Sequence, residues 1–229
     1  MSHTVLITGA KRGIGLEFAK QYAEGGWKVI ACCRDPATAT ALQALAKSNA
    51  NVQMIALDLA NFKQITQVAE SLKNTPIDVL INNAGVFPNS DYGDVDTDDW
   101  AAAFKINSMA PLKMAECFQT HLASSQLKKL ATLSSKMGSI DDNTSGGSYI
   151  YRSTKVAVNM VMKSLSIDLA LAGISVVTLH PGWVLTDMGG PRALISAEAS
   201  VMGLRKVIDN LSLANTGKFI AFDGKEIAW

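Results

Sequence analysis

Val5-Leu6-Ile7-Thr8-Gly9-Ala10-Lys11-Arg12-Gly13-Ile14-Gly15 joins a short apolar run to three glycines spaced four and two apart. The run reads as a strand, and the segment after it, Gly13–Glu24, reads as an amphipathic helix. Glycine permits a tight turn and a close approach of backbone to a ligand. A helix starting near Gly13 presents free N–H groups and its positive dipole end, a natural seat for phosphate oxygens. The common dinucleotide fingerprint is GxGxxG. TGxxxGxG is a variant of it, in the same strand–turn–helix context. Gly9, Gly13, Ile14 and Gly15 are therefore expected to cradle a pyrophosphate, with Arg12 inside the loop.

Further apolar runs follow at Trp27–Cys33, Val52–Leu57, Ile77–Ile81, Leu130–Ser134, Ile174–Leu179 and Lys218–Phe222. Most are continuous rather than alternating, as in strands buried on both faces of a parallel sheet. Between them, Ala37–Lys47, Phe62–Lys73, Asp98–Ser125, Tyr149–Ala172 and Ser196–Leu211 read as helices. Thr97 or Asp98 is the expected cap of the long fourth helix, Pro111 its expected kink, and Gly173 a helix stop. The alternation predicts an α/β fold: one Rossmann-type doubly wound domain over residues 1–229, with a seven-stranded, mainly parallel sheet and helices on both faces. The irregular stretches Val86–Asp96, Gly138–Ser148 and Gly182–Leu194 follow strands. They should frame the site, because ligands bind beyond the carboxyl ends of such strands.

An NAD-binding protein usually carries an acid about 20 residues after the glycines, to hold the ribose 2′-hydroxyl. Here Cys33 falls at that place and Arg34 follows. With Arg12, Arg34 could grip a 2′-phosphate, which favours NADP(H) over NAD(H). A one-residue slip would bring Asp35 into play instead. Asp58-Leu59 ends the third strand; the carboxylate either accepts from an adenine amino group or caps the helix beginning near Asn61. Asn82-Asn83-Ala84-Gly85 ends the fourth. This small-residue turn suits backbone lying against a ribose, and its asparagines could equally tie neighbouring strands together.

Composition excludes several classes. The 229 residues carry 21 Lys and Arg against 20 Asp and Glu, a net charge of +1, with no basic tract to attract nucleic acid or a membrane surface. Cys32, Cys33 and Cys117 form no C-x-x-C or metal-like cluster, so no metal is expected and the thiols read as free. The chain enters a strand almost at once, without a signal-like start, and no stretch approaches the ~18 apolar residues of a membrane helix. A cytoplasmic protein is expected.

Tyr151 and Lys155 stand four apart in a predicted helix, on one face. An ammonium beside a phenol favours phenolate and should lower the tyrosine pKa, which suits proton exchange with a carbonyl or alcohol. TGxxxGxG at Thr8–Gly15, NNAG at Asn82–Gly85, YxxxK at Tyr151–Lys155 and Pro181-Gly182 after the sixth strand resemble, in order and separation, the short-chain dehydrogenase/reductase family. Ser134–Ile140 and Gly217–Gly224 look like its C-factor-like and sniffer-like carbonyl reductase branch.

The resemblance implies a catalytic tetrad of Asn107, Ser135, Tyr151 and Lys155. Ser135 lies sixteen positions before Tyr151, longer than the family commonly shows, and Ser134 is its neighbour on the opposite strand face. Tyr151 would be the general acid, Ser135 a second donor to the substrate oxygen, and Lys155 the tuning cation that also holds the nicotinamide ribose. The carbonyl of Asn107 would seat a water in a proton path. Pro181, Gly182, Val184 and Thr186 would lie beside the nicotinamide, and His180 would be a packed strand-end residue. Phe87, Trp183, Met188 and Leu194 would line an apolar pocket for a small, mostly uncharged aldehyde or ketone. The family also implies a homodimer or homotetramer. Two alternatives stay open: a dinucleotide-binding signalling or regulatory protein on the same scaffold, and an NAD-linked alcohol dehydrogenase.

Overall fold

In the computed structural model, which describes residues 2–229, the expected alternation is realised. The strands are β1 (Thr4–Thr8), β2 (Lys28–Cys33), β3 (Val52–Ala56), β4 (Val79–Asn82), β5 (Lys129–Leu133), β6 (Ser175–His180) and β7 (Lys218–Ala221). The helices are α1 (Gly13–Glu24), α2 (Thr40–Ser48), α3 (Phe62–Ser71), α4 (Thr97–Phe104), α5 (Ala110–Ala123), α6 (Tyr149–Asp168) and α7 (Ala197–Asp209). The sheet order is β3-β2-β1-β4-β5-β6-β7, and every pairing between these strands is parallel. Strand order reverses between β1 and β4. That switch point opens a crevice beyond their carboxyl ends.

Residues alternate across the sheet as strand geometry requires. Val5 and Ile7 join a core with Phe18 and Tyr22 of α1 and Val201 and Leu204 of α7. Leu6 joins the opposite core, with Ile65 of α3, Met114 and Phe118 of α5, and Val158 and Met162 of α6. The sheet is thus covered on both faces, which is why its strands are apolar throughout. Asp78, just before β4, is a buried carboxylate that accepts from Thr4 N (2.8 Å), Gln126 N and Leu127 N (3.2 Å each) and pairs with His3 (3.2 Å). It gathers the amino ends of the central strands.

Three helical expectations need correction. The segment Asp98–Ser125 is not one kinked helix: α4 and α5 are joined by a π-helical turn, Lys105–Met109. Pro111 has no N–H for the carbonyl four residues back, and the chain takes a wider turn in which Ala110 N bonds the Lys105 carbonyl. Its cap is neither Thr97 nor Asp98 but Asp96, whose carboxylate accepts from Asp98 N (2.8 Å) and Asp99 N (3.0 Å). The helix expected from Ala37 begins at Thr40, after a 3₁₀ turn at Pro36–Thr38. Gly173 does stop the chain after α6 and a 3₁₀ turn, with φ +76°.

Candidate active site

A groove of about 690 Å³ runs across the switch point. Gly9, Arg12, Gly13, Ile14, Gly15, Arg34, Asp58, Leu59, Asn83, Ala84, Gly85, Tyr151, Lys155, Pro181 and Thr186 all line it. The glycine requirements are steric. A Cβ on Gly15 would lie 2.3 Å from the Gly9 carbonyl oxygen, and one on Gly9 would lie 2.9 Å from Ala84. Asn83 fastens this approach: its side-chain amide donates to the carbonyls of Thr8 (2.8 Å) and Gly9 (3.2 Å). The Thr8 hydroxyl accepts in return from Asn83 N (3.0 Å) and Ala84 N (3.2 Å). Asn82 bonds Thr132 of β5 (3.2 Å). The asparagine pair therefore does tie strands together, and in doing so sets backbone against the groove.

At the far end, Asp35 lines the groove, but its carboxylate is engaged in its own turn. Its carboxylate caps the Pro36–Thr38 turn, accepting from Ala37 N (3.0 Å) and Thr38 Oγ1 (2.7 Å), and these bonds hold its pKa below the usual carboxylate value. Arg34 and Lys11 remain there, with Lys11 Nζ 2.9 Å from Thr38 Oγ1. Within the glycine loop's sequence, Lys11 looks like any solvated loop charge. Arg12 reaches across the groove mouth to Asp187, 2.5 Å away. Asp58 does not cap α3. Asn61 does, accepting from Gln64 N, while Asp58 closes its own turn through Ala60 N (2.9 Å).

At the other end, Tyr151 and Lys155 rise from the first two turns of α6. Both are buried, at 8% and 4% exposure. Lys155 Nζ donates to the Leu133 carbonyl (2.8 Å) and stands 5.6 Å from the Tyr151 ring centroid. Burial pushes its pKa down to about 8. Burial likewise pushes the Tyr151 phenol up to about 12, opposed by an interaction with the Ser135 hydroxyl. The expectation of a lowered tyrosine pKa is therefore reversed here. Loss of solvent outweighs an ammonium that is bonded to a carbonyl instead.

Ser134 and Ser135 are separated by their strand alternation. The Ser134 hydroxyl is buried and donates to the Lys155 carbonyl (3.3 Å), whereas Ser135 faces the phenol. Asn107, in the π-helical turn, clasps Val86 in both directions, accepting from its N–H and donating to its carbonyl (2.9 Å each). A Cβ on Gly85 would lie 3.2 Å from Asn107 Oδ1 and 3.5 Å from Lys155 Nζ, so the three meet there. Gly138 is tighter still: a Cβ would come within 2.8 Å of Lys155.

Ser135, Asn107, Gly182 and Val184 are not among the residues that line the groove; Asn107 and Val184 are buried, Ser135 and Gly182 half-buried. The Thr186 hydroxyl is drawn into a local turn, donating to Val184 O (3.3 Å) and accepting from Gly189 N (3.2 Å). His180 is a packed residue. Its Nδ1 accepts from Lys136 N (3.2 Å), and burial lowers its pKa to about 4.

Of the expected apolar wall, only Met188 lines the groove. Phe87 packs on Tyr151 with centroids 4.4 Å apart, and Trp183 and Leu194 are exposed beyond it. Ser90 escaped the sequence reading. Ser148, which precedes α6, offers it no side-chain cap. The Ser90 carbonyl and hydroxyl instead accept from Tyr149 N (3.1 Å) and Ile150 N (3.0 Å). Among the described residues no helix is long and apolar enough to cross a membrane.

The family model for short chain dehydrogenase matches residues 3–194. C-signal of Myxococcus xanthus is 46% identical over 155 residues, covering 67% of this chain and 93% of that protein. The 1-hydroxy-2-glutathionyl-2-methyl-3-butene dehydrogenase of Rhodococcus sp. (strain AD45) is 34% identical over 233 residues, 99% of each chain. Among solved structures, the carbonyl reductase Sniffer of D. melanogaster superposes with a TM-score of 0.94 at 33% identity over the full length of both chains. The NADPH-bound carbonyl reductase from chicken fatty liver gives 0.94 at 34% identity, over 100% of this chain and 99% of that one. With the parallel sheet, the glycine-lined groove and the buried Tyr–Lys pair, these likenesses make the chain a member of the short-chain dehydrogenase/reductase family, in its sniffer-like and C-factor-like branch.

Proposed function

We propose that this oxidoreductase is an NADPH-dependent carbonyl reductase for small, mostly uncharged aldehydes or ketones. The observation that carries the reading is the Tyr151–Lys155 pair, buried at one end of the groove with Ser135 facing the phenol. Gly9, Gly13 and Gly15 line the groove at the start of α1, where backbone N–H groups suit a pyrophosphate, and the cofactor, when bound, supplies the hydride. Arg34 and Lys11 favour a 2′-phosphate at the ribose end, and Asp35 is occupied in its own turn. Carbonyl reductases among the structural relatives carry NADPH or NADP.

Tyr151, protonated at neutral pH, gives its proton to the developing alkoxide. Ser135 donates to the same oxygen and fixes the carbonyl. Lys155 steadies the phenolate left behind and can return a proton to it. The Asn107 carbonyl lacks an α-helical donor because Pro111 has no N–H, which suits it to hold a water leading toward Lys155. Tyr151→Phe should abolish turnover of a carbonyl panel while leaving NADPH affinity within about twofold. A mutant that keeps its rate would refute this chemistry.

The likeness to C-signal supports a second reading, a dinucleotide-binding signalling protein. Bound NADPH with no turnover above background in the unmutated protein would favour it. An NAD-linked alcohol dehydrogenase is tested by comparing kcat/KM for NADPH and NADH in the parent and in Arg34→Asp. We also propose a homodimer or homotetramer working in the cytoplasm. Met160, Ile167 and Leu171 leave an exposed apolar strip on and just beyond α6, and light scattering would read the assembly.

A further inference from the structure

Sixteen positions separate Ser135 from Tyr151, yet the Ser135 hydroxyl is close enough to the phenol to oppose the rise in its pKa. The chain enters α6 through an unusual turn: Gly146, Gly147 and Ser148 all lie in the left-handed region, with φ of +63°, +64° and +48°. Such a run is costly for Ser148. One side chain holds the turn. Arg152 Nε donates to the carbonyls of both Gly146 and Gly147 (3.2 Å each), and Nη2 donates to Ser145 Oγ (2.8 Å). Nη1 crosses to the other end of the segment and donates to the Met137 carbonyl (3.3 Å). Met137 N in turn donates to Ser135 Oγ (3.2 Å). A single guanidinium therefore bonds both ends of the segment that separates Ser135 from Tyr151, from the position next to Tyr151.

We propose that Arg152 is a positioning residue that sets the Ser135 hydroxyl against the Tyr151 phenol, so that both reach one substrate oxygen. The proposal rests on the carbonyl-reductase reading for its kinetic consequence, though not for its geometry. Arginine is required because its planar fork serves several acceptors at fixed angles, while a lysine ammonium acts as a compact point charge on a flexible stem. Arg152 does not touch the groove, so cofactor affinity should be independent of it.

The test compares the parent with Arg152→Ala and Arg152→Lys. Both variants should lose kcat by ~10²-fold, the cost of an ångström-scale misplacement, with NADPH affinity within about twofold of the parent. Added guanidinium at millimolar concentration should restore part of the rate to Arg152→Ala, and none to the parent or to Tyr151→Phe. A kcat within a few-fold of the parent in Arg152→Ala, or a loss that follows cofactor affinity and melting temperature without rescue, overturns the proposal. Amide exchange across residues 135–148 in the NADPH complex gives a reading without turnover. Faster exchange in Arg152→Ala supports the clamp, and unchanged exchange overturns it. A parent that binds NADPH but reduces no carbonyl would sink the enzymatic reading alone.

Discussion

Lys155 is the residue whose burial has the widest consequences. Its pKa, near 8 in the fold, lies below the ordinary lysine value of about 10.4. The unfolded chain therefore binds more protons between those two values, and stability rises with pH across that window. Below pH 8 the buried ammonium imposes its full cost. Lys155→Met should accordingly raise the melting temperature at pH 7 while removing activity, a trade common at functional sites. In the parent, reduction should decline as pH rises through about 8, because the neutral amine can no longer return a proton to Tyr151. A rate flat to pH 10 would exclude Lys155 from the proton path. The tyrosine limb, near 12, lies beyond the useful range. The spacing of Tyr151 and Lys155 was readable from the chain. Its electrostatic sign was not, because that depends on how much water the fold removes.

At the scale of elements, short-range chemistry was the readable part. The βα turn at Gly9–Gly15 carries its own steric reason, and Gly15→Ala should lower the melting temperature and weaken NADPH binding together, since the new methyl meets both Gly9 and Asn83. Devices that join distant segments were hidden. Ser90 caps the first N–H groups of α6 from sixty residues away. Ser90→Ala should cost about 1 kcal/mol in chemical denaturation, as a lost helix cap does, with a lower kcat because Tyr151 rides on that turn. Asn107 was legible as a candidate and Pro111 as a kink, while the π-helical form of the turn was not: a proline marks where the bond ladder is interrupted, not how the chain accommodates it. Arg152 occupies one of the unspecified positions of the YxxxK motif. Its partners are loop carbonyls, and these have no signature in the side-chain pattern.

For the whole molecule, the continuous apolar runs were enough to indicate a sheet covered on both faces, and residues near the strand ends were enough to indicate where the groove opens. The order of the outer strands and the knot of bonds at Asp78 depend on tertiary pairing. Asp78→Ala would leave the buried N–H groups of Thr4, Gln126 and Leu127 without their acceptor. It should cost roughly 2–4 kcal/mol in urea unfolding, with kcat per folded molecule unchanged. A loss below 1 kcal/mol would mean that water replaces the carboxylate.

The position of β1 between β2 and β4 also governs how the chain leaves the ribosome. The first three strands can assemble as soon as they emerge, but one side of Thr4–Thr8 then stays unpaired until Val79–Asn82 arrives. For that interval the nascent chain presents a bare apolar edge, the surface on which strands of other chains add. Later strands extend the sheet outward one at a time, and α6 is translated only after that first edge has been covered.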